Sequence, residues 1–258
     1  MQHSWLLPAG MAAPEQAKRI VSLVPSLTEW LHTLGLEEET VGITKFCIRP
    51  DEWFRQKTRV GGTKNVHVDE LLALQPDLVI ASKEENVAEQ VQAIAQQVPV
   101  LLTDIENLED ALASMQLIAD IAHRSEVANT LLAQIQMDFA TALPQAGRAL
   151  YLIWREPYMS VGGDTFIHAM LQMAGWENVC GHQTRYPTFT LAEMQALQPD
   201  VLLLSSEPFP FKINHVLELS AHFPHTRICL VDGEMFSWYG SRLLKSMSYF
   251  KELHRQLT

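Results

Sequence analysis

Short apolar runs alternate with amphipathic segments along almost the whole chain. The runs of strand length read RIVSLV from residue 19, LVIA from 78, VPVLLT from 98, RALYLIW from 148, VLLL from 201 and TRICLVD from 226. Between them, apolar residues recur three or four positions apart, which is the spacing of a helix with one buried face. Strands that alternate with helices predict an α/β fold with parallel, Rossmann-like sheets covered by helices.

One phrase is written twice in this pattern. ALQPDLVIASKE at 73–84 and ALQPDVLLLSSE at 196–207 are identical at seven of twelve positions. Each phrase predicts the end of a helix, a tight Pro-Asp turn and a strand buried on both faces. Similar runs flank both copies in the same order and close on LLTD and CLVD. We therefore predict two lobes of similar plan, an N-terminal lobe at 1–107 and a C-terminal lobe at 147–258.

The segment that joins the two lobes, 108–146, has a helical pattern over most of its length. Leu108, Leu112, Met115 and Ala119 form one apolar stripe, a second follows after His123, and no Gly-Ser or Pro-rich linker interrupts them. A helical connector would hold the lobes at a nearly fixed separation with a ligand cleft between them. The alternative is a single α/β domain in which this segment is a crossover.

Composition narrows the choice of partners. The 258 residues contain 19 Lys and Arg against 30 Asp and Glu, a net charge of −11. This balance argues against nucleic acid or an anionic membrane as a partner, because both require clustered positive charge. No apolar run reaches the roughly 20 residues of a spanning helix, so association with a membrane would be peripheral.

Cysteines and the N-terminus bear on the compartment. The three cysteines are odd in number and far apart, so we expect neither a disulfide framework nor a CxxC metal or redox motif. The first residues, MQHSWLLPAGMAAPEQAKR, have no Lys or Arg before a short apolar stretch that Pro8 interrupts. This segment falls short of a secretory signal.

Ligands of open parallel sheets bind beyond the carboxyl ends of the strands, so the residues that follow each run are the candidates for a binding site. Aromatic and charged side chains collect there, and flat rings with a few cations suit a large, rigid, partly apolar ligand with acidic edges, such as a macrocycle or a metal chelate. The predicted ligand-binding residues are Lys45, Lys64, Glu84, Trp154, Arg155, Tyr158, Glu207, Phe209, Phe236, Trp238, Tyr239 and Arg242.

Catalytic motifs are missing from the same loops. The chain has no GxSxG elbow, no GxGxxG after the first strand, no Walker loop and no HExxH, so we predict a binding protein rather than an enzyme. The histidines are scattered, and the ligands of a metal cannot be placed from their spacing. A receptor for a bare transition metal remains an alternative.

The two lobes, the connector, the repeated QPD units and RIVSLVPSLTE together resemble the helical-backbone solute-binding proteins of ABC importers. This class III group includes cobalamin, ferric-siderophore and haem receptors, and VGGTKN, SKEEN, LIWREPYMSVGGDTFIHAML and VDGEMFSWYGSRLL are similar to its helical-backbone metal-receptor branch. The resemblance covers about 19–255. It implies a non-enzymatic periplasmic receptor, monomeric and without an intrinsic cofactor, that binds a metal-containing or corrin-type ligand.

The resemblance also implies how such a receptor would meet its transporter. Family members dock on a permease dimer through one surface carboxylate per lobe, and the matching positions here are Glu70 and Glu193, at equivalent places in the two repeats.

A second reading is an intracellular cofactor carrier or enzyme of related two-lobed fold. It needs a nucleophile or a cluster-ligating cysteine at the end of a strand, and Cys47 in TKFCIRP is the candidate. Lys45 and Arg49 lie close enough in sequence to lower the pKa of that thiol.

Overall fold

The computed structural model describes residues 3–258, which form two compact units. The first unit comprises residues up to 105 together with 109–134 and 239–241, and the second comprises 106–108, 135–238 and 242–258. No helix among the described residues is long and apolar enough to cross a bilayer.

A six-stranded sheet forms the centre of the first unit. Its strands are β1 (His3–Leu6), β2 (Ile20–Ser22), β3 (Thr40–Ile43), β4 (Thr58–Arg59), β7 (Leu78–Ser82) and β8 (Val100–Thr103), and a small hairpin adds β5 (Gly61–Gly62) and β6 (Asn65–Val66). The order across the sheet is β1-β8-β7-β2-β3-β4. All neighbours are parallel except β1, which runs antiparallel to β8.

Helices follow the strands of this unit in alternation. They are α1 (Pro25–Thr33), α2 (Asp51–Gln56), α3 (Val68–Ala73), α4 (Ala88–Ala95), α5 (Leu108–Ile121) and α6 (Ser125–Asp138). His123, whose φ is 54°, lies between α5 and α6, so the predicted break in the helical segment is confirmed. By their contacts, α5 from residue 109 onward and most of α6 belong to the first unit.

A four-stranded parallel sheet forms the centre of the second unit, in the order β11-β9-β13-β14. The strands are β9 (Gly147–Leu152), β11 (Trp176–Asn178), β13 (Val201–Ser205) and β14 (Arg227–Val231), and a small antiparallel pair adds β10 (Tyr158–Met159) and β12 (Thr188–Phe189). The helices are α7 (Phe166–Met173), α8 (Leu191–Ala196), α9 (Ile213–Ser220), α10 (Glu234–Ser237) and α11 (Leu243–Leu257).

The predicted α/β class with parallel sheets is confirmed in both units. β7 and β13, which the repeated phrase contains, are buried at all five positions. A strand flanked by helices on both faces has no face exposed to solvent, and this explains why both runs are continuously apolar.

The repeated QPD performs the same task in each unit. The Asp77 carboxylate accepts hydrogen bonds from the backbone N–H of Arg19 at 2.9 Å and of Lys18 at 2.9 Å, just before β2. Asp200 accepts from the backbone N–H of Arg148 at 2.8 Å, near the start of β9. Both carboxylates thus tie the beginning of the neighbouring central strand to the QPD turn.

The arginines complete this arrangement by returning a hydrogen bond to the turn. Arg19 donates to the carbonyl of Leu74 at 2.6 Å and to that of Gln75 at 3.1 Å, and Arg148 donates to the carbonyl of Gln198 at 3.0 Å. Gln75 and Gln198 have φ of 50° and 47°. The left-handed residue turns the chain out of the helix, and Pro follows it because Pro cannot continue a helix.

Candidate functional site

The carboxyl ends of the first unit's strands bring two of the predicted residues together. Lys64, in the turn between β5 and β6, donates from Nζ to the carbonyl oxygen of Glu84 at 2.9 Å. Lys64 is exposed and Glu84, just after β7, is half-buried. The loop after β7 and the β5–β6 hairpin therefore form one surface.

Buried polar groups beneath that surface fix the two loops. Asn86 accepts from the backbone N–H of Ser82 at 2.8 Å and donates to the carbonyl of Thr63 at 3.0 Å. Asn86 and Ser82 are both buried. An amide that hydrogen-bonds to backbone groups of two loops ties these loops together without apolar contacts.

Lys45 lies two residues after β3 and next to an aromatic ring that the sequence did not predict as part of the site. Phe46 is 50% exposed, and the Lys45 ammonium lies 5.2 Å from the centroid of its ring. Gly62 supports this pair, since a Cβ at that position would lie 3.1 Å from the Phe46 ring and 3.2 Å from the Lys45 side chain. Ile48, 47% exposed, continues the apolar patch. The feature of the sequence that could have indicated this patch is the pair of large apolar residues, Phe46 and Ile48, on either side of Cys47 in a loop.

Tyr239 belongs to the first unit together with Gly240 and Ser241. Its side chain is buried, its hydroxyl donates to Ser82 Oγ at 3.5 Å, and burial raises the pKa of the phenol well above its ordinary range. The ring therefore anchors this short segment beside the loop after β7 and offers little surface to a ligand.

In the second unit, Trp154 and Phe209 form the accessible aromatic pair. Trp154 follows β9 and is 41% exposed, and its ring lies 5.8 Å from that of Phe209 at an angle of 70°. Phe209 packs edge-on against Phe211 at 4.8 Å and His215 at 5.4 Å. Edge-to-face contacts of this kind hold the exposed Trp154 ring in one orientation. A flat ligand that packs on this ring would therefore cost little side-chain entropy.

Arg155 and Tyr158 continue this surface. The Arg155 guanidinium donates to Glu218 Oε1 at 2.7 Å, so its charge is already balanced by a carboxylate. Tyr158 is half-buried in β10, and partial burial, with Glu218 as a second cause, raises the pKa of its phenol. Both polar heads lie close to the exposed Trp154 in the chain.

A buried polar network lies after β13 and around α10. Glu207 Oε1 accepts from the Ser237 hydroxyl at 2.6 Å and from the Trp238 indole N–H at 2.9 Å. The Arg242 guanidinium lies 5.5 Å from the centroid of the Trp238 ring and 3.0 Å from Glu234 Oε2. Burial raises the pKa of Glu207, and the carboxylates of Glu234 and Asp232 act in the same direction.

Phe236 lies in the core, where a ligand cannot reach it. Its side chain is 0% exposed, and its ring packs against Phe250 at 4.7 Å and Tyr151 at 5.2 Å. The sequence placed Phe236 in the loop after β14, but α10 turns this position inward, so the ring stabilises α10 and α11 against the sheet. The expectation that Phe236 contacts a ligand is therefore corrected.

Cys47 does not have the environment that a reactive thiol requires. It is fully buried, with Sγ 3.1 Å from Thr28 Oγ1 and 3.2 Å from Thr44 Oγ1. Burial raises the pKa of the thiol to about 11, opposite to the lowering expected from Lys45 and Arg49. Both cations lie on the exposed side of the loop, where water screens them from the sulfur.

Glu70 and Glu193 are both exposed and lie in the first turns of α3 and α8. Glu70 pairs with His67 Nδ1 at 3.2 Å. Glu193 is the N3 residue of a capping box, in which its carboxylate accepts from the Thr190 backbone N–H at 2.7 Å and from the Thr190 hydroxyl at 2.8 Å. These bonds lower the pKa of Glu193, so it is ionised at neutral pH.

Two further features concern metals and cavities. Among residues 3–258, no group of three or more His, Cys, Asp or Glu side chains could hold a metal ion. An open groove of about 630 Å³ lies beside β11 and is lined by residues that include Arg148, His168 and His182. Arg148 is near the amino end of β9, so this groove does not coincide with the predicted residues at the carboxyl ends.

The family model of the periplasmic binding proteins matches residues 20–218, most of the chain. The chain belongs to the periplasmic binding protein family. Its members are binding proteins of ABC transporters and not enzymes, and the prediction of a non-enzymatic protein is thereby confirmed.

Individual relatives are distant in sequence and close in fold. The uncharacterized ABC transporter substrate-binding lipoprotein YvrC of Bacillus subtilis (strain 168) is 26% identical over 255 residues, covering 92% of this chain and 80% of that protein. A vitamin B12-binding protein of Pectobacterium carotovorum (strain PC1) is 23% identical, covering 93% and 88%. The periplasmic heme-binding protein RhuT from Roseiflexus sp. RS-1, in apo form, has a TM-score of 0.80 at 22% identity, covering 93% and 99%.

Proposed function

We propose that this protein is the substrate-binding component of an ABC importer that captures a corrin-type or metal-chelate ligand, such as cobalamin, haem or a ferric siderophore, and delivers it to the permease. The observation that carries the proposal is the family match over 20–218. Relatives named as an ABC transporter substrate-binding lipoprotein and as a vitamin B12-binding protein cover most of the chain. The ligand is transported cargo, and no resident cofactor is required.

The accessible aromatic groups support a flat, partly apolar ligand. In the second unit the edge-to-face pair of Trp154 and Phe209 offers ring surface, and in the first unit Phe46 offers a ring with the Lys45 ammonium over it. Lys45 and Lys64 are exposed cations at the carboxyl ends of strands. Rings provide apolar contact, while these cations would meet carboxylates at the ligand's edge.

Docking on a permease would use Glu70 and Glu193. Both carboxylates are exposed and each lies at the start of a helix that leads into the repeated QPD unit. The capping box matters here, because it fixes the rotamer of Glu193 while leaving the side chain exposed to a partner's cation. Replacing both residues with Gln should abolish transport and leave ligand affinity unchanged.

The compartment and the assembly follow from the same proposal. A receptor of this kind works outside the cytoplasm, and relatives are named as periplasmic proteins or as a lipoprotein. We propose a monomer, with an N-terminal lobe at 1–107, a helical connector at 108–146 and a C-terminal lobe at 147–258. Limited proteolysis that cuts first within 108–146 would contradict a rigid helical connector.

The intracellular enzyme or carrier is less well supported. Its candidate residue, Cys47, is fully buried with a raised pKa. The bare-metal receptor would require a convergent set of ligands, which residues 3–258 do not contain.

Titration with defined ligands tests the proposal. Protein would be checked by native mass spectrometry and then titrated separately with cyanocobalamin, haemin and a ferric catecholate while tryptophan fluorescence is recorded. We expect quenching that saturates at one equivalent for one class of ligand. Trp154→Ala should weaken that binding by about tenfold, since an interface aromatic anchor contributes roughly 1–2 kcal/mol or more.

Trp5→Phe is the matched control, because Trp5 lies in β1 at the edge of the first sheet, away from the predicted residues. It should alter the fluorescence baseline and leave the affinity unchanged. Failure of all three ligands to bind, with the protein folded by circular dichroism, would contradict the proposed ligand class.

A further inference from the structure

We propose that Glu207 is a proton-sensitive positioning residue. Its ionised carboxylate holds the Trp238 indole in place, and protonation of that carboxylate releases the indole and weakens ligand binding at the carboxyl ends of β9 and β13. The inference about Trp238 concerns the free protein, and the inference about affinity rests on the proposed function.

The geometry makes Glu207 the acceptor that orients this ring. The Trp238 indole N–H donates to Glu207 Oε1 at 2.9 Å, and the Ser237 hydroxyl donates to the same oxygen at 2.6 Å. On the ring itself, the Arg242 guanidinium lies 5.5 Å from the centroid. The indole is thus fixed by a hydrogen bond at its edge and by a cation over its face.

The backbone that carries the Glu207 side chain is itself held in place by hydrogen bonds to Ser205. The backbone N–H of Glu207 donates to Ser205 Oγ at 3.3 Å, and Ser205 Oγ donates to the Glu207 carbonyl at 2.6 Å. Gly233 allows this close packing, since a Cβ there would lie 2.6 Å from Glu207 Cγ. The tight turn after β13 therefore fixes the backbone position from which the Glu207 side chain reaches the Trp238 indole.

Charges around the site determine how Glu207 responds to pH. Asp232 and Glu234, from the segment after β14, oppose its ionisation, as does its burial, while Ser237 and Trp238 favour it. Arg242 faces the same cluster and is paired with Glu234 at 3.0 Å. The folded-state pKa is raised above the ordinary value of 4.5, so the carboxylate takes up a proton at a pH where an exposed glutamate would still be ionised.

Protonation affects the two donors unequally. Ser237 has a second acceptor, the carbonyl of Gly233 at 2.9 Å, and retains it when Glu207 becomes neutral. The hydrogen bond of the Trp238 indole to Glu207 changes from charge-assisted to neutral, and charge-assisted bonds are about twice as strong. Acid should therefore loosen Trp238 first.

Fluorescence without ligand tests the positioning role. Emission of the wild-type protein would be recorded between pH 4 and 8, and the contribution of Trp238 obtained by subtracting Trp238→Phe. We expect a titration step above pH 4.5 in that difference and no step in Glu207→Gln, which keeps the shape of the side chain. Glu218→Gln, a change of an exposed carboxylate in the same unit, should leave the step in place.

Affinity for cyanocobalamin, haemin and the ferric catecholate across the same pH range tests the consequence. Binding of the ligand that the protein takes up should weaken by roughly fivefold below the step in wild type, and Glu207→Gln should show no such change. The inference would be overturned by a fluorescence step that persists in Glu207→Gln. It would also be overturned by a wild-type affinity that stays the same on both sides of the step. A step that behaves as expected in a protein that binds none of these three ligands would support the positioning role and contradict the proposed function.

Discussion

Burial determines the chemistry of individual side chains in this protein. Cys47 lies at the end of a strand, among residues that in an exposed loop would make a thiol reactive, yet its sulfur contacts the hydroxyls of Thr28 and Thr44 inside the core. Both hydroxyls favour the thiolate, but the loss of hydration outweighs them and the pKa rises to about 11. The thiol is a small hydrophobic group that fills space.

Thiol labelling checks this directly. With iodoacetamide at pH 8, we expect all three cysteines to react far more slowly in the native protein than a free peptide thiol, because burial raises the pKa of Cys47, Cys180 and Cys229. In 6 M guanidinium, labelling should be complete and uniform. Mass spectrometry of the digest would identify each site. Rapid alkylation of native Cys47 would restore the enzyme reading.

For individual residues, the sequence predicts the chemical type of a side chain at a strand end better than it predicts whether that side chain is exposed. Trp154 and Phe236 both follow strands and look equivalent in the sequence, but one is 41% exposed and the other 0%. The difference arises because α10 turns Phe236 against Tyr151 of β9 and Phe250 of α11, and the residues around Phe236 in the sequence do not reveal this packing. Conversely, Phe46 directly follows the predicted Lys45 and is 50% exposed, although its apolar character alone does not distinguish it from a core residue.

Among the elements, the short segment at 239–241 has the most specific geometry. Gly240 has φ of +97°, and a Cβ there would lie 2.8 Å from the Ser26 carbonyl oxygen and 3.4 Å from Trp30 Cβ. The segment therefore lies directly against the first turn of α1, and only glycine allows this approach without strain.

Gly240→Ala should accordingly destabilise the protein by about 2–3 kcal/mol, since left-handed backbone strain and a backbone clash add. Gly10→Ala is the matched control: Gly10 has φ of +80° and nothing within 4 Å of an added Cβ, so only the strain of about 1 kcal/mol applies. Urea denaturation of both variants measures the difference. Equal losses would show that the contact with α1 does not constrain this segment.

The alternation of helices and strands, and the repeat, were predictable because both rest on local patterns. β7 and β13 fall where their apolar runs predicted, and the QPD turns that precede them bind the adjacent strands alike. The sequence did not predict β1. This strand pairs antiparallel with β8, about a hundred residues later, and its own residues do not indicate that partner. The contacts of residues 239–241 with the first unit are likewise made with residues far away in the sequence.

For the molecule as a whole, each unit contains a phenol that is kept neutral by burial. Tyr239 in the first unit and Tyr151 in the second are both buried, and the loss of hydration raises the pKa of each far above its ordinary value of 10.0. Tyr151 donates to Ser205 Oγ at 3.1 Å, and Tyr239 donates to Ser82 Oγ at 3.5 Å. Each serine ends the strand of its QPD repeat, so the two units use equivalent positions.

These phenols and Cys47 make the protein sensitive to alkali. Above pH 9 the unfolded chain loses protons from groups that the native protein keeps protonated, so the free energy of unfolding falls as pH rises from about 9 towards 11. Absorbance at 295 nm should show that some of the five tyrosines ionise only as the protein unfolds.

Cys47→Ser should reduce the loss of stability by roughly 1 kcal/mol for each pH unit between 9 and 11. Because any packing cost of the serine is independent of pH, the difference between wild type and variant isolates the thiol. A difference that stays constant from pH 8 to 10.5 would show that Cys47 titrates as an exposed thiol and would contradict its burial.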